Sequence, residues 1–268
     1  MTLSMDIAAA ERTEAARRLI DQAQEEVVDL VIVSALELCV LGGPAHPLFE
    51  EAVARAWARL GGRRRQKIIE WTTEAMVERG LFIEDGPRTG FWQPGHSYSL
   101  KPELGLMLAA RCRPAFIVIT EAAERDLRAP RFFALGDQAE PVRGIVAELP
   151  TALPADVAGD FPYVRKFGPL GRFYRYVLLS RKQTAAVLAE LTISPPRQSG
   201  EAVASAWLVS AYHPDRKRPF GYRLSVRGDG ITARLDGSGP GDGVAAGTEY
   251  DVEGLRSAML DLITRPSR

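Results

Sequence analysis

Several classes of protein are excluded first by what the chain does not contain. Its 268 residues include two cysteines and three histidines. That leaves no disulfide framework and no Cys/His cluster at the spacing a zinc site needs. There is no net charge, with 34 Lys and Arg against 34 Asp and Glu, so the basic excess of a dedicated nucleic-acid binder is absent. Nor is the imbalance hidden locally. Residues 1–100 hold eleven basic against fifteen acidic side chains, and the rest hold twenty-three against nineteen. The longest apolar stretch, Val27 to Leu41, is broken by Asp29, Ser34 and Glu37 and is too short and too polar to span a bilayer. Met1 to Glu11 lacks the charged-then-apolar order of a signal peptide, so the chain is expected to be cytoplasmic and away from membranes.

What is present is ordinary globular composition, 46% hydrophobic and 25% charged, enough to bury a core without covalent staples. Apolar residues at helical spacing predict a helix over 12–41, stopped by Gly42-Gly43-Pro44. A second is expected over about 47–60, with Val53 and Trp57 inward. A third is expected over about 64–79, with Ile68, Ile69, Thr72, Ala75 and Met76 inward and Gly80 just past its end. Leu81 to Ile83 and Tyr98 to Leu100 suggest a hairpin around a Gly/Pro-rich tip. Three helices and a hairpin outline a winged helix within a region 1–114.

Region 115–268 changes character. A helix entered through Pro102 leads to short strands at Phe116–Thr120, Phe132–Leu135 and Val142–Leu149. Pro150 to Pro169 holds four prolines and reads as an irregular connection. Phe173–Leu179 is a strand running into the capping box Ser180…Gln183 and a helix to Leu191. Strands follow at Val203–Tyr212, Gly221–Arg227 and Ile231–Leu235, the last two joined through the hairpin signal Asp229-Gly230. A glycine-rich loop, Gly237 to Gly247, precedes Asp251, the expected N-cap of a final helix bearing Val252, Leu255, Met259 and Leu262. The class is α+β, with a mixed or antiparallel sheet, helices on one face, and a suggested two-fold repeat in the similar helices ending near Leu191 and Ile263.

Catalytic constellations are not found, and the expectation is a protein without enzymatic activity, cofactor or metal. His46, His96 and His213 sit singly in loop contexts. Cys39 and Cys112 occupy core-like runs, where buried thiols are the expectation and a lone disulfide the alternative. The Gly237–Gly243 run lacks the Gly-Lys-Ser/Thr ending of a phosphate loop, and Asp251 and Glu253 would repel phosphate at the next helix start. The sharpest anomaly is Arg63, Arg64, Arg65 and Lys67. They open the third helix, where cations oppose the dipole and where a winged helix would meet DNA. A solvated turn paired with Glu70 and Glu74 explains the same residues without nucleic acid. Phe91 and Trp92 at the hairpin tip, and Phe220 and Tyr222 in a turn beside the basic 213–218 segment, are candidate anchors for a protein partner.

The order of segments resembles the EspG family, cytosolic chaperones of type VII (ESX) secretion in actinobacteria. The similarity lies in Ala35-Leu36-Glu37-Leu38-Cys39-Val40-Leu41, in Ile68 through Glu78-Arg79-Gly80-Leu81, and in Leu100-Lys101-Pro102-Glu103-Leu104 through Ala110-Arg111-Cys112-Arg113-Pro114. It continues in the strand Phe116–Thr120 and in Tyr222-Arg223-Leu224-Ser225 with its hairpin and terminal helix. The match spans most of the chain as a pattern of elements without a short diagnostic motif. It departs from the family in the long helical N-terminus and the basic run at Arg63. The resemblance implies a mixed α/β fold with quasi-two-fold halves that binds secreted helical substrates without catalysis. Two expectations result: a protein-binding adaptor or chaperone, and as its alternative a winged-helix DNA-binding regulator with a ligand-sensing or dimerising second half.

Overall fold

The apolar run near the N-terminus does not form one helix. A helix α1 covers residues 13–22 and ends in a turn; strand β1, Val28–Ser34, then passes directly into helix α2, Ala35–Gly42. The physical reason lies in Val28, Val31, Ile32 and Val33, whose branched Cβ atoms lose rotamer freedom in a helix and pack well in a strand. Ser34 makes the switch. Its backbone N–H donates to Glu37 Oε2 at 2.6 Å, and the Glu37 N–H donates to Ser34 Oγ at 3.1 Å, a reciprocal capping box.

The structure is a computed structural model that describes residues 13–42, 50–84, 98–122, 130–136, 142–152, 168–193, 206–212, 220–226, 233–236 and 248–264. The chain is α+β and divides into two compact units. The first takes Met1–Leu19, Asp29–Cys112 and Pro150–Tyr176; the second takes Ile20–Val28, Arg113–Leu149 and Val177–Arg268.

In the first unit, α2 packs against helix α4, Gly62–Glu78, and helix α3 spans Glu51–Ala58. The core is built from Leu36, Leu38, Cys39, Val53, Trp57, Ile68, Met76, Leu104 and Met107, all buried. Gly80 ends α4 with φ +64°, a conformation that costs a residue with a Cβ roughly 1 kcal/mol or more. Gly80 N–H donates to Val77 O at 2.8 Å and Leu81 N–H to Met76 O at 3.0 Å, the paired bonds of a Schellman ending. Strands β2, Phe82–Glu84, and β3, Tyr98–Leu100, pair antiparallel with Phe82 opposite Leu100. Helix α5, Pro102–Cys112, starts on the proline that a first helical position tolerates. The helix-helix-helix-hairpin order therefore stands, with the eight-residue α2 as its first helix.

The second unit holds strands β4 (Ile117–Ala122), β5 (Arg131–Leu135), β6 (Gly144–Thr151), β8 (Ala206–Tyr212), β9 (Phe220–Val226), β10 (Ala233–Asp236) and β11 (Thr248–Tyr250), together with the end of β7 (Phe173–Leu179). Their order is β7-β6-β5-β4-β8-β9-β10-β11, and the pairs from β6 to β11 are antiparallel, with Phe132 opposite Ala147, Val118 opposite Ala211 and Val209 opposite Tyr222. Helices α6 (Arg181–Ile193) and α7 (Val252–Thr264) cover one face. Ala185, Leu188 and Ala189 of the first, with Leu255, Met259 and Ile263 of the second, meet Val118, Phe132, Ala134, Ile145, Ala147, Val177 and Leu179. The alternation of period two is visible in these strand positions. Ile117, Phe133, Val146 and Leu178, on the opposite face, are buried as well.

Both helices begin as their sequences direct. Ser180 N–H donates to Gln183 Oε1 at 2.7 Å and Gln183 N–H to Ser180 Oγ at 3.3 Å, and Asp251 Oδ1 accepts from Gly254 N–H at 2.7 Å. The register Val226 opposite Ala233 brackets Asp229-Gly230, which lie outside the described residues. Strand β11 falls between the glycine-rich run and Asp251 and was not expected. The clearest local repeat is strand, capping box, helix at β1–α2 and again at β7–α6. Asp29 and Arg175 sit at equivalent places in the two copies, 146 residues apart, and Arg175 donates to both Asp29 oxygens at 2.7 Å. Helices α6 and α7 pack on one another.

Candidate functional site on the face of helix α4

Buried charges in the first unit are tied to one another. Glu37 is fully buried; its carboxylate accepts from Ser34 N–H and Oγ on one oxygen and from the Arg79 guanidinium on the other. Arg79 also donates to the Ile32 carbonyl at 2.7 Å, which joins the end of α4 to β1. Burial holds the Glu37 carboxyl above its ordinary range, against the opposing pull of Arg79 and the Ser34 hydrogen bonds. Glu50, just before α3, is held by Arg172 and by Tyr174 Oη, the latter at 2.7 Å. Arg111 is buried and donates to Tyr176 Oη at 2.8 Å.

The cysteines separate. Cys39 is buried and its thiol is pushed up to about 12 by burial, opposed by the nearby Arg111 charge, so it is chemically inert. Cys112 is exposed at the end of α5, not buried as its sequence context suggested, and neither forms a disulfide. Among the described residues no group of three His, Cys, Asp or Glu side chains could hold a metal ion, and no helix is long and apolar enough to cross a membrane.

The basic run is divided by the structure. Arg65 turns inward: its Nη2 donates to the carbonyls of Trp57 at 3.2 Å and Leu60 at 3.1 Å, with a longer approach to Ala58. Its guanidinium also lies over the Trp57 ring, 5.4 Å from the centroid. These carbonyls lie at the end of α3, where Trp57 O also accepts from Leu60 N–H at 3.2 Å, so Arg65 adds a side-chain cap to that end and is a cation–π partner. Arg63, Arg64 and Lys67 stay exposed. The expected pairing with Glu70 and Glu74 does not form. Glu70 accepts instead from Gln66 at 2.9 Å, and among the described residues Arg63, Arg64, Lys67, Glu74 and Glu78 enter no ion pair.

One residue on this helix escaped the sequence reading. Trp71 is 60% exposed, the most exposed large hydrophobic side chain among the described residues. At 100° per residue, positions 63, 67, 70, 71, 74 and 78 fall on one face, opposite the buried Ile68, Thr72, Ala75 and Met76. That spacing was available in the sequence. The face has cations in its first half, carboxylates from Glu70 onward and an indole between Glu70 and Glu74. Its terminal turns run against the helix dipole: the first holds Arg63 and Arg64 and no acid, the last holds Glu78 and no base, and Gly61 provides no side-chain cap. Each misplaced charge costs about 0.3–1 kcal/mol at low salt.

Of the other anchors, Phe91 and Trp92 lie outside the described residues, as do His46, His96 and His213. Phe220 and Tyr222 do not occupy a turn. They begin strand β9, with backbone partners Ala211 and Val209; bulky aromatic residues favour a strand backbone.

Comparison with protein-family models, with curated proteins and with solved structures finds no match.

Proposed function

We propose that this protein is a non-enzymatic, cytoplasmic protein-binding adaptor, chaperone-like in the sense that its EspG resemblance implies, and that α4 presents a surface to a helical protein segment. The observation that carries this reading is Trp71, exposed at the middle of a face that begins with Arg63, Arg64 and Lys67 and continues with Glu70, Glu74 and Glu78. Trp and Arg dominate the energetics of protein interfaces, and charges of both signs in register select a partner of matching polarity. Phe91, Trp92, Phe220 and Tyr222 are further candidate anchors for the same role.

A DNA-binding regulator is the second reading, favoured by three exposed cations at the start of a helix that a hairpin follows. The three carboxylates on the same face oppose it, because in a major groove they would approach phosphates. The test uses the immobilised full chain and its Trp71→Ala variant in native cytoplasmic extract, beside a duplex DNA titration. An adaptor retains a protein that the variant releases, with the variant's fold intact by circular dichroism. Equal retention by both chains, or tight duplex binding at 50 mM salt that collapses roughly a thousandfold by 200 mM, would overturn the adaptor reading.

A further inference from the structure

We infer that the occupant of the α4 face is a second copy of the same helix, packed antiparallel across a two-fold axis. The inference rests on the reading of that face as a protein surface and names its partner. Charge order is what selects the occupant. Four of the exposed charges are symmetric about a point between Glu70 and Trp71: Arg63 mirrors Glu78 and Lys67 mirrors Glu74, while Glu70 and Trp71 lie beside the axis and Arg64 mirrors the uncharged Val77. Laid against itself in reverse, the helix sets Arg63 and Lys67 opposite Glu78 and Glu74, four opposite-charge contacts against the single approach of the two Glu70 carboxylates. Lys67 and Glu74 sit about 5 Å along the helix from the axis and Arg63 and Glu78 about 11 Å. This is the self-complementary pattern of an isologous interface, in which residue i meets j and j meets i.

The same pairing resolves the reversed polarity of α4. In one copy the cations oppose the positive helix end and the carboxylates the negative end. Two antiparallel copies place the N-terminal end of each beside the carboxylates of the other, and the C-terminal end beside its cations. The charges that disfavour the lone helix then favour the pair. The indole rings, brought together at the axis, lose the exposure each has alone. A foreign helix would need the same charge order to fit, and this chain already carries it. A pair of 17-residue helices is small beside the standard interfaces of about 1,600 Å², so self-association of roughly micromolar strength that weakens with salt is expected.

Sedimentation velocity of the full chain between about 1 and 100 µM at low salt tests this. The wild type is expected to pass from monomer to dimer over that range, and to remain monomeric in 1 M salt. Lys67→Glu alone and Glu74→Lys alone each set like charges across the axis and are expected to weaken dimerisation at least about tenfold. Mixed together, the two variants restore opposite charges between positions 67 and 74 and recover the dimer as a heterodimer. Both substitutions are at exposed positions, and circular dichroism confirms folding. A wild type that stays monomeric at 100 µM, single variants that dimerise like wild type, or a mixture that fails to recover would each overturn the inference. If the wild type is monomeric yet Trp71→Ala still releases a foreign protein, the dimer fails and the adaptor reading survives.

Discussion

Arg79→Met tests the claim that the first unit is held at its centre by one buried ion pair. The Glu37 side chain is fully buried and that of Arg79 is 15% exposed. Removing the guanidinium strips its paired cation from a carboxylate that burial already disfavours. Ser34 still donates to one carboxylate oxygen, but the other loses its donor, and so does the Ile32 carbonyl. Breaking a buried pair in this way costs about 3–5 kcal/mol, a large part of a total stability of about 5–15, and lowers Tm by roughly 10 °C in a domain of this size. The pH dependence supplies the sharper check. A carboxyl whose folded pKa is raised adds stability at pH below its unfolded value and loses that contribution as pH rises through the folded one. Without Arg79 that pKa rises further, so the deficit of the variant against wild type is smallest below about pH 4 and grows toward neutrality. Urea denaturation at acid and neutral pH measures both quantities. Adding Glu37→Gln should recover part of the neutral-pH loss, because the amide has no charge to desolvate. A deficit under about 1 kcal/mol at neutral pH, or one that does not change with pH, would refute the reasoning, since an exposed pair behaves in that way.

Arg65→Ala is expected to cost about 1–2 kcal/mol by exposing the carbonyl end of α3 and removing the contact with Trp57, whereas Arg63→Ala and Arg64→Ala stay within about 0.5; thermal melts of the three variants decide it. Ser180→Ala is expected to lose about 1 kcal/mol as an N-cap, and Ser34→Ala more, since its hydroxyl also donates to the buried Glu37; equal losses by chemical denaturation would deny the difference. Alkylation of the folded chain near pH 8, followed by mass spectrometry, is expected to label Cys112 readily and Cys39 about a thousandfold more slowly. Comparable rates would show that Cys39 is not buried as described.

Local chemistry was legible wherever a few adjacent residues decide the outcome. Gly80, Ser180 with Gln183, and Asp251 each act through hydrogen bonds to their own neighbours, and each does what its position predicts. The box at Ser34 and Glu37 has the same spacing but is hidden, because the polar residues Asp29, Ser34 and Glu37 do not recur at period two and the apolar run around them fits a helix as well as a strand. Only the branched side chains from Val28 to Val33 signalled the strand. The order of the strands was not legible, because β4 pairs with β8 across some ninety residues of chain and no local preference encodes such a pairing. Nor does sequence separate Arg65 from Arg63 and Arg64. Identical neighbours in a run differ only in helical phase, and the phase is set by what α4 buries.

That phase gives α4 its standing among the helices. Helices α2, α6 and α7 are each capped by a serine or aspartate that accepts a first-turn N–H, and α2 and α7 carry an acid in the first turn, whereas α6 opens on Arg181 and Lys182 without one. Helix α4 has neither a side-chain cap nor an acid in its first turn, and its last turn holds Glu78 and no base, although a tight Schellman turn closes it. The cost cannot be recovered inside the helix, because Arg63, Arg64, Lys67, Glu74 and Glu78 have no ion-pair partners among the described residues. The second copy inferred above would supply, around an exposed tryptophan, the compensation that the described residues of one copy do not. A reversed dipole complement is corrected by an antiparallel helix more directly than by an extended strand or a phosphate backbone, since only the helix supplies opposite charge at both ends.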